Sequence, residues 1–381
     1  MMPPRVTRRI IILGTTTAHS VKFLSPLVRS LHERGWECHL VCGEKELPPS
    51  DAPAALATLH HIPMKRQPSP LGDLRALILW VKLMRKVRPE VLFVGSPKAS
   101  LLGVTAAKIL RVPHRVYLIR GLRFEGEKGL KRKLVLSLEA LTAILSTRVL
   151  SVSQSVKRQL EKSVGNLCRE IEVLGSGSSR GVDTDYFRPR STLHLQPGQQ
   201  ESASEKILVI GYVGRLARDK GILDLLESFA ALKAAGFRVR LLIAGPEEGL
   251  ELALSAATQK DPDIEHINNP QNLLEVFQKI DVFCFPSYRE GLPNVVLEAS
   301  SCGIPIVAAD VTGVRDAVIR DRTGLLVPAR RPDLLAEAIT KLLLDQGLRS
   351  SLGRAGREFV ISEFGERDVV ERYTTFLDAL G

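Results

Sequence analysis

DVFCFPSYREGLPNVVLEASSC, residues 281–302, is the stretch that decides how the rest of the chain is read. It opens on four apolar residues, Val282, Phe283, Cys284 and Phe285, which predict a short buried strand closed by Pro286 and Ser287. A turn carrying Glu290, Gly291, Leu292, Pro293 and Asn294 follows. Residues 295–301 then read as a helix, with Pro293 in its first turn, where a missing N–H costs nothing. Glu290 falls in the loop at the carboxyl end of the strand and Glu298 on the helix. Between them lies a helix N-terminus with free N–H groups, beside a glycine that lets a ligand come close. Such a stretch suits a ligand with phosphates and hydroxyls, the amides taking the anion and the carboxylates the hydroxyls. Spacing alone leaves open a plain strand-turn-helix with two solvated glutamates, because Glu is common in first helical turns.

Around this stretch the chain has 381 residues, room for two domains, and a hydrophobic fraction of 44%, that of a protein with an ordinary core. It contains no run of about twenty apolar residues, so no membrane-spanning helix is expected. The basic start MMPPRVTRR precedes only a short apolar run at 10–13, which reads as a first buried strand and not as a signal peptide. Cysteines at 38, 42, 168, 284 and 302 form no C-x-x-C pair, and the histidines show no metal-ligand spacing. Reduced thiols, a cytoplasmic setting and no metal site are therefore expected. Charge is unevenly spread: residues 1–190 carry 32 Lys and Arg against 15 Asp and Glu, a net +17, while 191–381 net −6. A basic half suits nucleic acid, an anionic membrane surface or a phosphate-bearing acceptor. An aromatic fraction of 5% and the lack of a nucleic-acid motif argue against the first.

In order, the chain reads as two α/β units. Strands are expected at 9–13, 37–41, 91–94, 116–119 and 147–152, short Val/Ile/Leu runs of the kind that buried parallel strands carry. Gly14 ends the first of them, where an open α/β sheet binds phosphate. Lys98 follows Ser96 and Pro97, which make a good cap and first helical position by themselves, and it is a candidate for an anionic acceptor. The loop 120–129, RGLRFEGEKG, is glycine-rich and carries both signs of charge, unlike a packing element. Lys128, Lys131, Arg132 and Lys133 lead into a helix at 131–146 against its dipole, which points to a lipid headgroup. Residues 175–181 read as a hinge, Asp183-Thr184-Asp185 as a turn, and 191–205 as a polar linker. Further strands are expected at 207–213, 239–244, 264–267, 282–285, 304–308 and 324–327, and helices at 222–235, 332–345 and within 347–380. Gly214, Arg215 and Lys220 stand ahead of the helix at 222–235; glycine at the turn with two cations makes an anion site.

Glu290 and Glu298, with seven residues between them in the frame PSYREGLPNVVLEA, resemble the E-x7-E signature of the family 4 retaining glycosyltransferases. The resemblance covers 207–365 closely and 5–190 loosely. It implies the α/β GT-B fold, two Rossmann-like domains with a cleft between them. The acceptor-binding domain would be 1–190, joined through 191–205 to a nucleotide-sugar-binding domain at 206–365, with a helix at 366–381 crossing back to the first. It implies a hexosyl- or N-acetylhexosaminyl-transferase without cofactor or metal, taking a sugar from a nucleoside-diphosphate sugar, a UDP-sugar before others. The acceptor would be a glycan hydroxyl on a lipid diphosphate, met by a peripheral protein on the inner face of the membrane, as in bacterial cell-surface glycan synthesis.

Arg215 and Lys220 match the family's diphosphate-holding pair, and Gly14 and Gly214 stand near that diphosphate. Glu298 would bind the ribose, and Glu290, with the loop Gly291, Leu292, Pro293 and Asn294, the donor sugar and phosphates. Much of the family has a His-Gly pair where this chain has Arg120-Gly121, which turns Arg120 or Arg123 toward phosphate or acceptor. The catalytic set expected is Glu290, Arg215, Lys220 and Arg120. Beside this stand a hydrolysing nucleotide-sugar epimerase of the same fold, which needs a carboxylate acid/base pair, and a non-catalytic sugar-nucleotide-binding protein. The intact set Arg215, Lys220, Glu290 and Glu298 argues against the last.

Overall fold

The computed structural model describes residues 9–17, 21, 23–44, 55–65, 67, 69–165, 170–190 and 207–380. Cys168 and the stretch read as a linker, 191–205, lie outside the described residues. The chain forms two compact units, Met1–Gly181 with Glu366–Gly381, and Val182–Gly365.

The first unit runs β1 (Ile10–Gly14), α1 (Ser25–Glu33), β2 (Glu37–Cys42), β3 (Ala57–His61), α2 (Pro70–Val87), β4 (Val91–Val94), α3 (Pro97–Ile109), β5 (His114–Ile119), a short 3-10 helix (Arg123–Gly126), α4 (Gly129–Leu145), β6 (Arg148–Ser151), α5 (Gln154–Val164) and β7 (Ile171–Glu172). The strands pair in parallel in the order β3-β2-β1-β4-β5-β6-β7. IIILG and VLFV stand in the middle of this sheet and are buried almost throughout, which is why they are apolar runs with no alternation. β3 and β7 were not expected. Both lie at sheet edges, and ATLHH faces water along most of its length, so no apolar run marks it.

The second unit runs β8 (Leu208–Val213), a 3-10 turn (Arg218–Lys220), α6 (Ile222–Ala234), β9 (Val239–Ala244), α7 (Glu251–Lys260), β10 (Ile264–Ile267), α8 (Leu273–Phe277), β11 (Val282–Phe285), α9 (Asn294–Ser301), β12 (Ile306–Ala309), α10 (Val314–Ala317), β13 (Gly324–Val327), α11 (Pro332–Leu344) and α12 (Gln346–Phe364). Its parallel sheet has the order β10-β9-β8-β11-β12-β13. Tyr212, Phe229, Phe277, Phe283, Phe285 and Phe364 are buried in one core with the aliphatic faces of the helices.

Residues 182–190, assigned from the sequence to the first unit, belong to the second. The Val182 N–H donates to the Phe364 carbonyl at 2.8 Å, Ser301 Oγ donates to the Phe187 carbonyl at 2.6 Å, and the Phe187 ring meets Phe277 edge-on at 5.8 Å. The Asp183 carboxylate accepts the N–H groups of Asp185 and Tyr186 at 3.1 and 2.9 Å, the turn chemistry that such a triplet offers. Gly365 bridges to Val182 and breaks 347–380 into α12 and a last helix, α13 (Glu366–Asp378). α13 ends the chain on the first unit, burying Val369, Val370, Tyr373 and Leu377. Its Asp378 accepts from Trp36 Nε1 at 2.7 Å and Arg34 at 2.6 Å.

Glu139 of α4 is buried and accepts a hydrogen bond from the Tyr117 hydroxyl. Burial pushes its carboxyl from the ordinary 4.5 up to about 7, against the weaker pull of Tyr117 and of Arg123. The folded state therefore holds this proton where the unfolded chain has released it, so this group's contribution to stability declines as pH rises through 4.5 to 7. Glu139→Gln, which mimics the protonated carboxyl, is expected to melt like the wild type at pH 4.5 and above it at pH 8. Melting curves that stay parallel across that range would remove the assignment.

Candidate active site

In the second sheet β8 and β11 are neighbours, yet β8 continues through α6 to β9 on one side and β11 through α9 to β12 on the other. A crevice opens at the carboxyl ends of two strands whose connections diverge in this way. The loop after β8 brings Gly214, Arg215 and Lys220 to it, and the loop after β11 brings Ser287 to Asn294. Lys220 Nζ and Glu290 Oε1 meet there at 2.5 Å, with their side chains only 16% and 13% exposed.

The two loops are also tied by backbone and aromatic contacts. Tyr288 N–H and Ser287 Oγ both donate to the Asp219 carbonyl, at 2.9 and 3.4 Å, and Arg289 pairs with the Asp219 carboxylate at 2.9 Å. The Tyr288 hydroxyl donates to Asp224 at 3.0 Å, under the Arg330 guanidinium 4.5 Å from the ring centre. Gly221, at φ +71° as the cap of α6, leaves no room for a Cβ against the Pro286 carbonyl. Gly313, at φ +81° as the cap of α10, stands in the same way against the Gly291 carbonyl. Beneath lies Tyr212, whose hydroxyl donates to the Arg215 carbonyl at 3.1 Å and occupies the space a side chain at Gly214 would need. Burial raises that phenol's pKa well above its ordinary value. The Glu290 and Asp219 carboxylates push the same way and Arg215 opposes them.

α9 begins at Asn294, so Pro293 is its cap, at φ −77° and ψ 101°, and not a first-turn residue as the sequence suggested. The side-chain Nδ2 of Asn294 is buried with no hydrogen-bond partner among the described residues. A donor left in that state costs about 1–3 kcal/mol, a cost that an acceptor atom of a ligand would remove. Glu298, one turn on, is 4% exposed. Arg215 does not join the Lys220–Glu290 pair; it is ion-paired with Glu248, both largely solvated.

Residues 197–359 match the family described as glycosyl transferases group 1, and residues 21–175 the glycosyl transferase 4-like domain. The chain is 33% identical to the capsular polysaccharide biosynthesis glycosyltransferase CapM of Staphylococcus aureus, over 95% of this chain and 96% of that one. The chain belongs to the family 4 glycosyltransferases. It is also 25% identical to the N,N'-diacetylbacillosaminyl-diphospho-undecaprenol alpha-1,3-N-acetylgalactosaminyltransferase of Campylobacter jejuni, over 97% and 98% of the two chains. HepE of Anabaena, solved with UDP and glucose, superposes at a TM-score of 0.79 and 16% identity over 98% of this chain and 100% of that one. Sucrose-phosphate synthase of Thermosynechococcus elongatus does so at 0.77 and 19%, over 98% and 99%. At such identities the likeness is one of fold, and the fold is GT-B.

In the first unit of this glycosyltransferase the expected residues have varied fates. Gly14 ends β1 with Trp80 Cη2 and Val94 Cγ1 each 2.9 Å from where a Cβ would stand, so packing alone requires glycine. Lys98 donates to Asp73 at 2.8 Å and to the Gln67 carbonyl at 2.6 Å, so its charge is answered within the chain. Arg123 is exposed in the 3-10 helix, and Arg120 stands just past the end of β5. The clamp of Asp219 with Ser287, Tyr288 and Arg289 was not anticipated, since nothing local links residues about seventy positions apart. Gly313→Ala is expected to lower transferase activity and melting temperature more than Gly236→Ala. Gly236 has a similar φ of +87° with nothing within 4 Å, so the difference isolates the collision with the Gly291 backbone. Equal losses in the two variants, read by melting and kinetics, would separate Gly313 from the site.

Proposed function

We propose that this glycosyltransferase moves a sugar from a nucleoside-diphosphate sugar to a hydroxyl of a lipid-diphosphate-linked glycan with retention of anomeric configuration. The observation that carries the reading is the Lys220–Glu290 pair at the diverging strands β8 and β11. As the sugar–phosphate bond breaks, charge builds on the diphosphate. Lys220, Arg215 and the free N-terminus of α9 supply preorganised positive potential for it without a metal. Glu298 takes the ribose hydroxyls, and Glu290 with Gly291, Leu292, Pro293 and Asn294 holds the donor sugar and phosphates. The acceptor oxygen bonds to the anomeric carbon on the face the phosphate leaves, and its proton passes to the leaving phosphate oxygen. HepE's complexes with UDP and with UDP-glucose favour a UDP-sugar. The diphospho-undecaprenol in the Campylobacter relative's name favours the lipid-linked acceptor.

Lys220→Ala should lower turnover at least about tenfold, the scale of a lost charge-assisted contact of about 1.5–3 kcal/mol. Glu298→Gln should chiefly weaken UDP binding. Transfer should persist in excess chelator; wild-type kinetics in both variants, or full loss in chelator restored by manganese, would sink this account.

A membrane surface for the first unit is supported by two flanking helices. α2 and α4 both pack on α3 and turn apolar residues outward at helical spacing: Leu71, Leu74 and Ile78 on the one, Leu130, Leu134, Leu138 and Leu141 on the other. Leu71 and Leu130 are 86% and 83% exposed. Exposed Arg75 and Lys82 on α2, and Lys128, Lys131, Arg132 and Lys133 at the start of α4, give that face its charge. Basic residues beside outward leucines suit an anionic leaflet, each cation contributing roughly 1 kcal/mol that salt screens. Sedimentation with anionic vesicles should be strong at low salt and fall steeply as salt rises. Reversing the four charges of α4 and its cap should abolish most of it while UDP binding stays intact. Equal sedimentation with neutral and anionic lipid, or none with either, contradicts the proposal.

A further inference from the structure

The first sheet has its own point of divergence, where β1 leads through α1 to β2 and the adjacent β4 leads through α3 to β5. At the carboxyl ends of β1, β4 and β5 stand Thr15, Ser96 and Arg120. The Arg120 side chain lies across Gly95, where a Cβ would come within 2.7 Å of its Nε. That Nε is buried with no hydrogen-bond partner, and the guanidinium has no ion pair or hydrogen bond among the described residues. Tyr373, whose charge acts on the Arg120 pKa against burial, is a buried phenol that donates to the Ser178 carbonyl. Burial of this part of the Arg120 side chain lowers its pKa, as expected of a cation partly withdrawn from water.

Arg115, earlier on the same strand, shows what a structural arginine does here: its Nε donates to the Leu145 carbonyl at 2.8 Å and its Nη1 to the Val112 carbonyl at 2.6 Å. Two hydroxyls at the same strand ends are also unanswered among the described residues. Ser96 occupies the cap of α3, but its side chain accepts no N–H, and its hydroxyl oxygen, like that of the 1%-exposed Thr15, is buried without a partner among the described residues. Pro97 opens the helix, whose thirteen residues direct their dipole's positive end to this place.

We propose that Arg120, the N-terminus of α3 and the hydroxyls of Ser96 and Thr15 form an oxyanion site of the first unit, distinct from the cations Lys220 and Arg215. It takes an anionic group of one of the two sugar substrates, a phosphate of the acceptor's diphosphate or a carboxylate on the donor sugar. The assignment to a substrate rests on the glycosyltransfer reading above; the oxyanion site itself does not. In the full chain, the Arg120 Nε–H resonance should shift and saturate on titration with inorganic diphosphate. Arg120→Gln should weaken diphosphate binding at this site at least about tenfold and Arg120→Lys less, with UDP affinity kept within about twofold in both. A raised KM in Arg120→Gln confined to diphosphate-bearing acceptors, with alkyl-glycoside acceptors unaffected, assigns the acceptor. A raised KM confined to uronic-acid donors, with neutral donors unaffected, assigns the donor. No resonance shift, unchanged diphosphate affinity in Arg120→Gln, or an equal loss with every substrate overturns the site. Failure of the wild type to bind UDP would instead count against the donor reading and leave the diphosphate titration to decide this one.

Discussion

Two neighbouring parallel strands whose connections leave in opposite directions cannot fill the space above their own carboxyl ends. Helices cover the faces of the sheet, and the loops over β8 and β11 part there. In that space the second unit pairs a cation with a carboxylate, Lys220 with Glu290. At 16% and 13% exposure neither Lys220 nor Glu290 has enough water to stand alone, so each depends on the other. On the proposed reading a diphosphate replaces Glu290 as partner to Lys220, and Glu290 turns to sugar hydroxyls, so no bare charge is left in the crevice at any stage.

That exchange needs loops that hold their shape while partners change. The second unit obtains this from close backbone approach and not from bulk. Gly221 against Pro286 and Gly313 against Gly291 bring helix N-termini and loop carbonyls nearer than any side chain would permit. The Asp219 carbonyl, accepting from two donors of the β11 loop, fixes the Lys220 loop to its neighbour. Buried Tyr212 holds the first of these loops through the Arg215 carbonyl and stacks on Phe285 of β11. Preorganisation of this kind lets charges act on a developing anion without the cost of rearranging them first.

The first unit separates two uses of positive charge. Arg115 is spent on carbonyls and Lys98 on Asp73, while Arg120 has nothing to bind among the described residues. The surplus of cations in residues 1–190 is thus not uniform in meaning. Some of them hold loops together and some face outward beside the leucines of α2 and α4. Among the arginines singled out from the sequence, Arg120 alone has a buried Nε with no partner among the described residues.

What the sequence determined by itself was local or motif-borne. Central strands were legible because burial on both faces makes them uninterrupted apolar runs, and helices because their apolar residues recur at helical spacing. The frame around Glu290 and Glu298 carried the family. Edge strand β3 escaped because water along it erases the run, β7 because two residues are too short to show one, and 182–190 were misassigned because their fate depends on Phe364 and Phe277, far along the chain. Which polar residue is engaged was likewise decided only in three dimensions: Lys98 by Asp73, 25 positions away, Lys220 by Glu290, 70 away, and Gly14 by the ring of Trp80. Periodicity records what a residue's near neighbours and the solvent require of it. The partner of a charge is chosen by the crossing of strands and loops, and that choice leaves no trace in local pattern.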